Sequence, residues 1–229
     1  MDSHLTRRAI LLAAAASAHR SSWADAGLRL IGAEIPPLAG PAFGFYAERL
    51  AQLARQVGFE QQPSWMPWAR AYVDARAQGR ALLFPVPRVA SIERDWQWLA
   101  PLGKEESVLV VRRDALRSPA DLDNPDVASR LRVGALRGCP SIPSMTDKGF
   151  TSFEYAVDSR AQARKLALGR IDAWITTRRT ADYWLAREGV DFALLWPFVP
   201  KGDLAFYVAA SRDVDPAQLA AWRTTVRST

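Results

Sequence analysis

Short apolar runs alternate with helix-spaced segments along this chain, and that alternation limits its fold more than any other feature. "LRLIGA" (28–33) reads as a strand, and "PAFGFYAERLAQLARQVG" as a helix with Phe43, Tyr46, Leu50, Leu53 and Val57 at helical spacing and Gly58 as its stop. "FEQQPSW" (59–65) follows as a strand. Pro67 suits the first turn of "PWARAYVDARAQG", and "ALLFPV" (81–86) reads as a buried strand. Strand-helix-strand-helix-strand in this order predicts an α/β layer with a largely parallel sheet. After the strand "ESVLVVRRD" (106–114) and a polar connection, a second set begins. It comprises "LRVGAL", "TSFEYAV", the helix "SRAQARKLALG", "RIDAWITT", the helix "RRTADYWLAREG" and "VDFALLWPF". "DLAFYVAAS" (203–211) adds a strand, and Asp215 is placed to cap a terminal helix. Two such sets predict two lobes with a cleft between them.

The first residues stand outside that pattern. "LTRRAILLAAAASAHRSSWADA" has the charged, apolar and small-residue layout of an export leader, with a cleavage site ending at Ala26. Arg7 and Arg8 give it the look of a twin-arginine signal, with an ordinary secretory signal as the alternative. The apolar run is about half of the ~20 residues that span a bilayer. His4 and His19 are the only histidines and both lie in this segment. The remainder has no imidazole, which excludes Ser-His-Asp and Cys-His catalysis and leaves zinc without its commonest ligand. The single cysteine, Cys139, cannot form an internal disulfide. No metal or cofactor is expected. The formal charge is +6, but the arginines are scattered singly among Asp and Glu, so they read as solvated helix faces and not as a nucleic-acid site.

Three stretches, "MPWARA" (66–71), "PRVASIERDWQWLAPLG" (87–103) and "LALGRIDAWI" (166–175), occur in the order and spacing seen in the family 3 extracellular solute-binding proteins of ABC importers. The chain resembles that family over nearly all of 27–229. The resemblance implies a type II periplasmic-binding-protein fold of two α/β lobes joined by a two-strand hinge. It divides the chain into a leader (1–26), lobe 1 (27–112 with 204–229) and lobe 2 (113–203), with hinge segments near 110–113 and 202–206. It also implies a monomer in the periplasm that captures a small solute, an amino acid or related compound, for a membrane permease.

The same resemblance supplies candidate ligand residues. Arg94, in a loop beyond a strand, matches the arginine that holds the ligand carboxylate in amino-acid-binding members, and a guanidinium fork suits that task. A surface or hinge ion pair is its alternative. Arg88 is a second candidate, in a loop stiffened by Pro85 and Pro87. Trp65 and Trp68 flank Pro67 at a cleft-facing position and offer apolar contact or core packing. Trp96 and Trp98 are expected to pack behind the loop. Arg70 lies one turn into its helix, where it reaches the cleft or solvent. In lobe 2, Arg137 stands in "ALRGCPSIPS", a loop whose backbone could cradle an anion. Asp172 reads as structural. Where relatives carry an acid for the ligand ammonium, this chain has Thr176 and Thr177, which argues against an ordinary zwitterionic amino acid. Glu34, ending the first strand, could meet a cation. Together these favour a polar or carboxylate-bearing solute. Two other readings stay open: an enzyme like the cyclohexadienyl dehydratases, using Glu34 or Glu93 as its acid, and a sensor or accessory module that docks on a partner.

Overall fold

A computed structural model describes residues 27–116, 118–191, 193–198 and 203–225. The expected leader with its cleavage site lies outside them, as does residue 202 of the second hinge segment.

The first sheet has strand order β2-β1-β3-β10-β4, built from β1 (Arg29–Glu34), β2 (Ser64–Pro67), β3 (Ala81–Pro87), β4 (Trp96–Glu105) and β10 (Leu204–Ser211). β1 pairs parallel with both β2 and β3, and β10 runs antiparallel between β3 and β4. β3 is buried at every position, as expected of a central strand covered on both faces. One face is covered by α1 (Phe45–Val57), which buries Tyr46, Leu50, Leu53 and Ala54 at helical spacing and ends before Gly58. Phe43 lies before this helix and is exposed, so the helical face starts three residues later than the pattern suggested. α2 (Trp68–Gln78) covers the opposite face through Trp68, Ala71 and Ala75.

The second sheet has the order β7-β6-β8-β5-β9, from β5 (Ser107–Arg112), β6 (Arg132–Leu136), β7 (Ser152–Ala156), β8 (Ala173–Thr177) and β9 (Ala193–Pro197). Here β5 is the antiparallel member, between β8 and β9. Two short helices, α3 (Pro125–Ala128) and α4 (Ile142–Thr146), precede the longer α5 (Ser159–Ala167) and α6 (Arg178–Arg187). Asp158 caps α5 by accepting the Ala161 N–H at 2.7 Å, and the Thr177 hydroxyl caps α6. α7 (Ala220–Thr225) returns to the first sheet and seats Trp222 in its core. It begins later than predicted: Asp215 accepts the Ala217 N–H at 2.9 Å in a turn ahead of the helix.

Each sheet thus receives one antiparallel strand from a chain segment that has just left the other. β5 follows β4 after Glu106 alone. The chain therefore changes sheet at Glu105–Ser107, and Ser107–Arg112, expected in lobe 1, pairs wholly within lobe 2. The physical reason is register: Val108, Leu109, Val110 and Val111 are fully buried between β8 and β9, a place only the second sheet offers them.

Candidate functional site

The carboxyl ends of the parallel strands in both lobes face one cleft. Lobe 1 contributes Ile35 after β1, Trp68 after β2, Pro87 at the end of β3, and Leu38 and Phe206 beside them. Lobe 2 contributes Leu136, Cys139 to Ser141 in the loop beyond it, Ser159 after β7, and Ile175 to Thr177 at the end of β8. This is where open α/β sheets bind ligands, because loops and helix starts converge there. The free space in it is about 80 Å³, small beside the ~300–1,000 Å³ of pockets for drug-sized molecules.

No charged side chain lines this cleft among the described residues. Its polar groups are hydroxyls. Thr177 is spent on the α6 cap, donating to the Thr180 hydroxyl at 2.9 Å and accepting the Thr180 N–H at 3.4 Å. Ser141 interacts with Cys139, whose thiol burial pushes above the ordinary range. Ser107, Ser159 and Thr176 have no side-chain partner among the described residues, although Ser107 and Ser159 are only 5% and 3% exposed. None of these hydroxyls is sealed from solvent, and Thr176 is half-buried, so the three open onto the cleft and are the groups best placed to meet a solute.

The acids nearest the lobe crossing are neutralised by cations. Glu105, 5% exposed, accepts from the Arg179 guanidinium at 3.0 Å and from the Tyr46 hydroxyl at 3.3 Å. Burial first, and then the Glu105 charge, raises the Tyr46 pKa. Arg178 pairs with Glu106 and holds that carboxyl below its usual value.

Direct contacts bridge the lobes on both sides of the cleft. The Trp68 indole donates to the Gly138 carbonyl at 2.9 Å, and the Ser91 hydroxyl donates to the Pro140 carbonyl at 2.6 Å. Gly138 adopts φ 70°, a left-handed conformation that glycine enters without strain, and this lets the loop approach Trp68. Opposite, α6 lies along lobe 1: Trp184 donates to the Pro36 carbonyl at 3.2 Å and Tyr183 meets Phe43 at 5.9 Å.

Of the ligand residues expected from the sequence, Trp68, Thr176 and Thr177 line the cleft. Glu34 and Arg137 stand beside lining residues without lining it themselves, and Pro85 is buried within β3, two residues before the lining Pro87. Arg88 is elsewhere engaged. It binds Glu93 at 2.6 Å and lies over the rings of Trp98 and Tyr207 at 5.3 and 5.5 Å. Trp65 covers Gly32 and meets Phe84 at 5.4 Å, facing a groove along α1. Arg70 is exposed. Arg94 faces a different groove, at the far end of lobe 1 beside the start of β4. The reason is local: Ala90–Asp95 forms a 3-10 turn that seats Ile92 in the core and leaves Arg94 outside. Asp172 is structural as expected, accepting from the Arg132 backbone at 2.9 Å and from its guanidinium at 2.8 Å. Ser107 and Ser159 were missed. The signal was a serine at each of two ends, the lobe crossing and the start of a helix after a strand, but both read as ordinary strand and helix positions.

No family profile matches the chain, and no curated protein matches it. Solved structures do. The ligand-binding core of GluR0 from Nostoc punctiforme in complex with L-glutamate aligns with TM-score 0.70 and 15% identity over 88% of this chain and 92% of that one. The arginine-binding protein ArgBP of T. maritima aligns at 0.69 and 16%, covering 90% and 91%. The VFT2 domain of Bordetella pertussis BvgS aligns at 0.67 and 16%, covering 90% and 89%. The chain has the two-lobed periplasmic-binding-protein fold that these structures share.

Proposed function

We propose that this chain is an exported solute-binding protein that holds a small, uncharged solute with an apolar body between its lobes and presents it to the membrane permease of an ABC importer. The observation that carries this reading is the cleft's chemistry. Three unpartnered hydroxyls, Ser107, Ser159 and Thr176, stand in an apolar wall that no ionised side chain reaches among the described residues. Neutral hydrogen-bonding groups on a solute satisfy such hydroxyls. An ionised carboxylate or ammonium would be desolvated there without an opposite charge. The neighbours solved with glutamate and arginine support binding of a small molecule. This cleft differs from the expectation of a carboxylate anchor, because Arg88 and Arg94 lie outside it. The leader-like layout of residues 1–26 supports an exported role.

An elimination enzyme is less well supported. Such chemistry needs a carboxyl group whose pKa is raised over the leaving group. The Arg88 guanidinium instead holds Glu93 below its usual range, outside the cleft. A docking or sensor module is favoured by one observation: the lobes bond directly to each other on both sides of the cleft.

The test is a thermal-shift screen of the purified protein against neutral amides, alcohols and lactones, alongside amino acids and dicarboxylates. A true ligand at ~100 times its dissociation constant adds about 2.7 kcal/mol to stability. The proposal expects hits among the neutral compounds, weakened by Thr176→Val and Ser159→Ala. Hits confined to charged compounds would contradict it, and no hit in any class would favour the docking module. Loss of uptake of the best hit on deleting the protein from its cell tests the importer role.

A further inference from the structure

Arg94 faces a polar groove of about 480 Å³ at the pole of lobe 1 opposite the cleft, beside the carboxyl end of α2 and the amino ends of β3 and β4. Arg76, Arg94 and Arg212 line it together with Asp95 and Asp213. The two acids are already occupied by protein donors. Asp95 accepts from the Tyr72 hydroxyl and pairs with Arg76 at 3.2 Å. Burial, followed by that bond to Asp95, pushes the Tyr72 phenol up to about 12, so it remains a donor through the neutral range. Asp213 accepts the Arg80 N–H at 2.9 Å. By contrast, the guanidinium groups of Arg94 and Arg212 have no partner among the described residues, and both residues are exposed. The groove therefore offers two free planar forks, and a third shared with Asp95, in a hollow of small-molecule size. Guanidinium forks match tetrahedral oxyanions bidentately, and the groove's three guanidinium groups outnumber its two carboxylates, which bond to other donors.

We infer that this groove is a second binding site, separate from the cleft, for a phosphoryl anion. Free phosphate or a phosphate monoester presents that chemistry, and so does the headgroup of an anionic phospholipid. The occupied acids give the groove its shape, and Arg94 and Arg212 supply its affinity.

The test uses the purified full chain in two arms. Calorimetric titration with inorganic phosphate and glycerol phosphate reads the soluble source. Co-sedimentation with phosphatidylglycerol vesicles, against phosphatidylcholine vesicles, reads the lipid source. Saturable binding in either arm is expected, and it should fall about tenfold in Arg94→Gln and again in Arg212→Gln, each losing a charged hydrogen-bond donor. Arg94→Lys should bind between the parent and Arg94→Gln, because it keeps the charge and loses the fork. Arg70→Gln, on the same lobe but outside the groove, should bind as the parent does. Binding in the vesicle arm alone assigns the lipid source, and binding in the titration arm alone assigns the soluble one. Absence of binding in both arms, or binding equal in Arg94→Gln, Arg212→Gln and the parent, overturns the inference.

Discussion

The indole of Trp68 is 2% exposed, and its N–H spans the gap to the Gly138 carbonyl of the other lobe. One side chain thus packs the lobe 1 core, walls the cleft and ties the lobes together. Trp68→Phe keeps most of the apolar surface and removes the donor, leaving a carbonyl to find water. It should lower stability by about 1 kcal/mol, measured by urea unfolding. Gly32 makes a different demand, since a Cβ there would lie 2.4 Å from the Trp65 ring. Gly32→Ala must move that ring off Phe84, and overpacking of this kind costs about 1–3 kcal/mol. Displacement of Trp65 would show as a red shift in tryptophan emission. These contacts explain why single residues were poorly legible in the sequence. "SWMPW" announces two tryptophans near a turn, but only the packing over Gly32 assigns one to the outer groove and the other to the cleft.

Elements were more legible than residues. The spacing of α1 from Tyr46 onward, the apolar run of β3 and the extents of α5 and α6 follow from local chemistry, and the structure places these elements close to where the sequence reading does. The lobe crossing was not legible, because "VLVV" is equally apolar in either sheet and only pairing with β8 and β9 assigns it. The position of Arg94 was illegible for a related reason: its loop follows a strand end, but the 3-10 turn sets it beside a different groove. Asp172 shows what element-level chemistry does for stability. It ties the start of β6 to the turn before β8 through Arg132, and that guanidinium, ahead of the backbone N–H, holds its carboxyl below the ordinary 3.8. A depressed carboxyl contributes stability above its unfolded pKa and loses it as pH falls through the folded value. Asp172→Asn should therefore be less stable than the parent at pH 7, on the order of 1.5 kcal/mol. The gap should close as pH falls below the ordinary carboxyl range, as read from urea unfolding at pH 7 and pH 3.

At the scale of the whole molecule, two sheets exchange one strand each and meet across a cleft without ionised lining, among the described residues. The fold was legible because strand-helix alternation and motif order agree. The ligand's chemistry was not, because it depends on which arginines turn inward, and that is decided by a 3-10 turn and an ion pair inside the 87–103 motif that its residue types do not announce. The most direct measurement is the calorimetric affinity of the best neutral ligand at low and high salt, in the parent, Thr176→Val and Arg94→Ala. The account predicts an affinity that is insensitive to salt and to Arg94→Ala and falls about fivefold to tenfold in Thr176→Val, the loss of one net hydrogen bond. A carboxylate ligand whose binding weakens with salt and disappears in Arg94→Ala would contradict it.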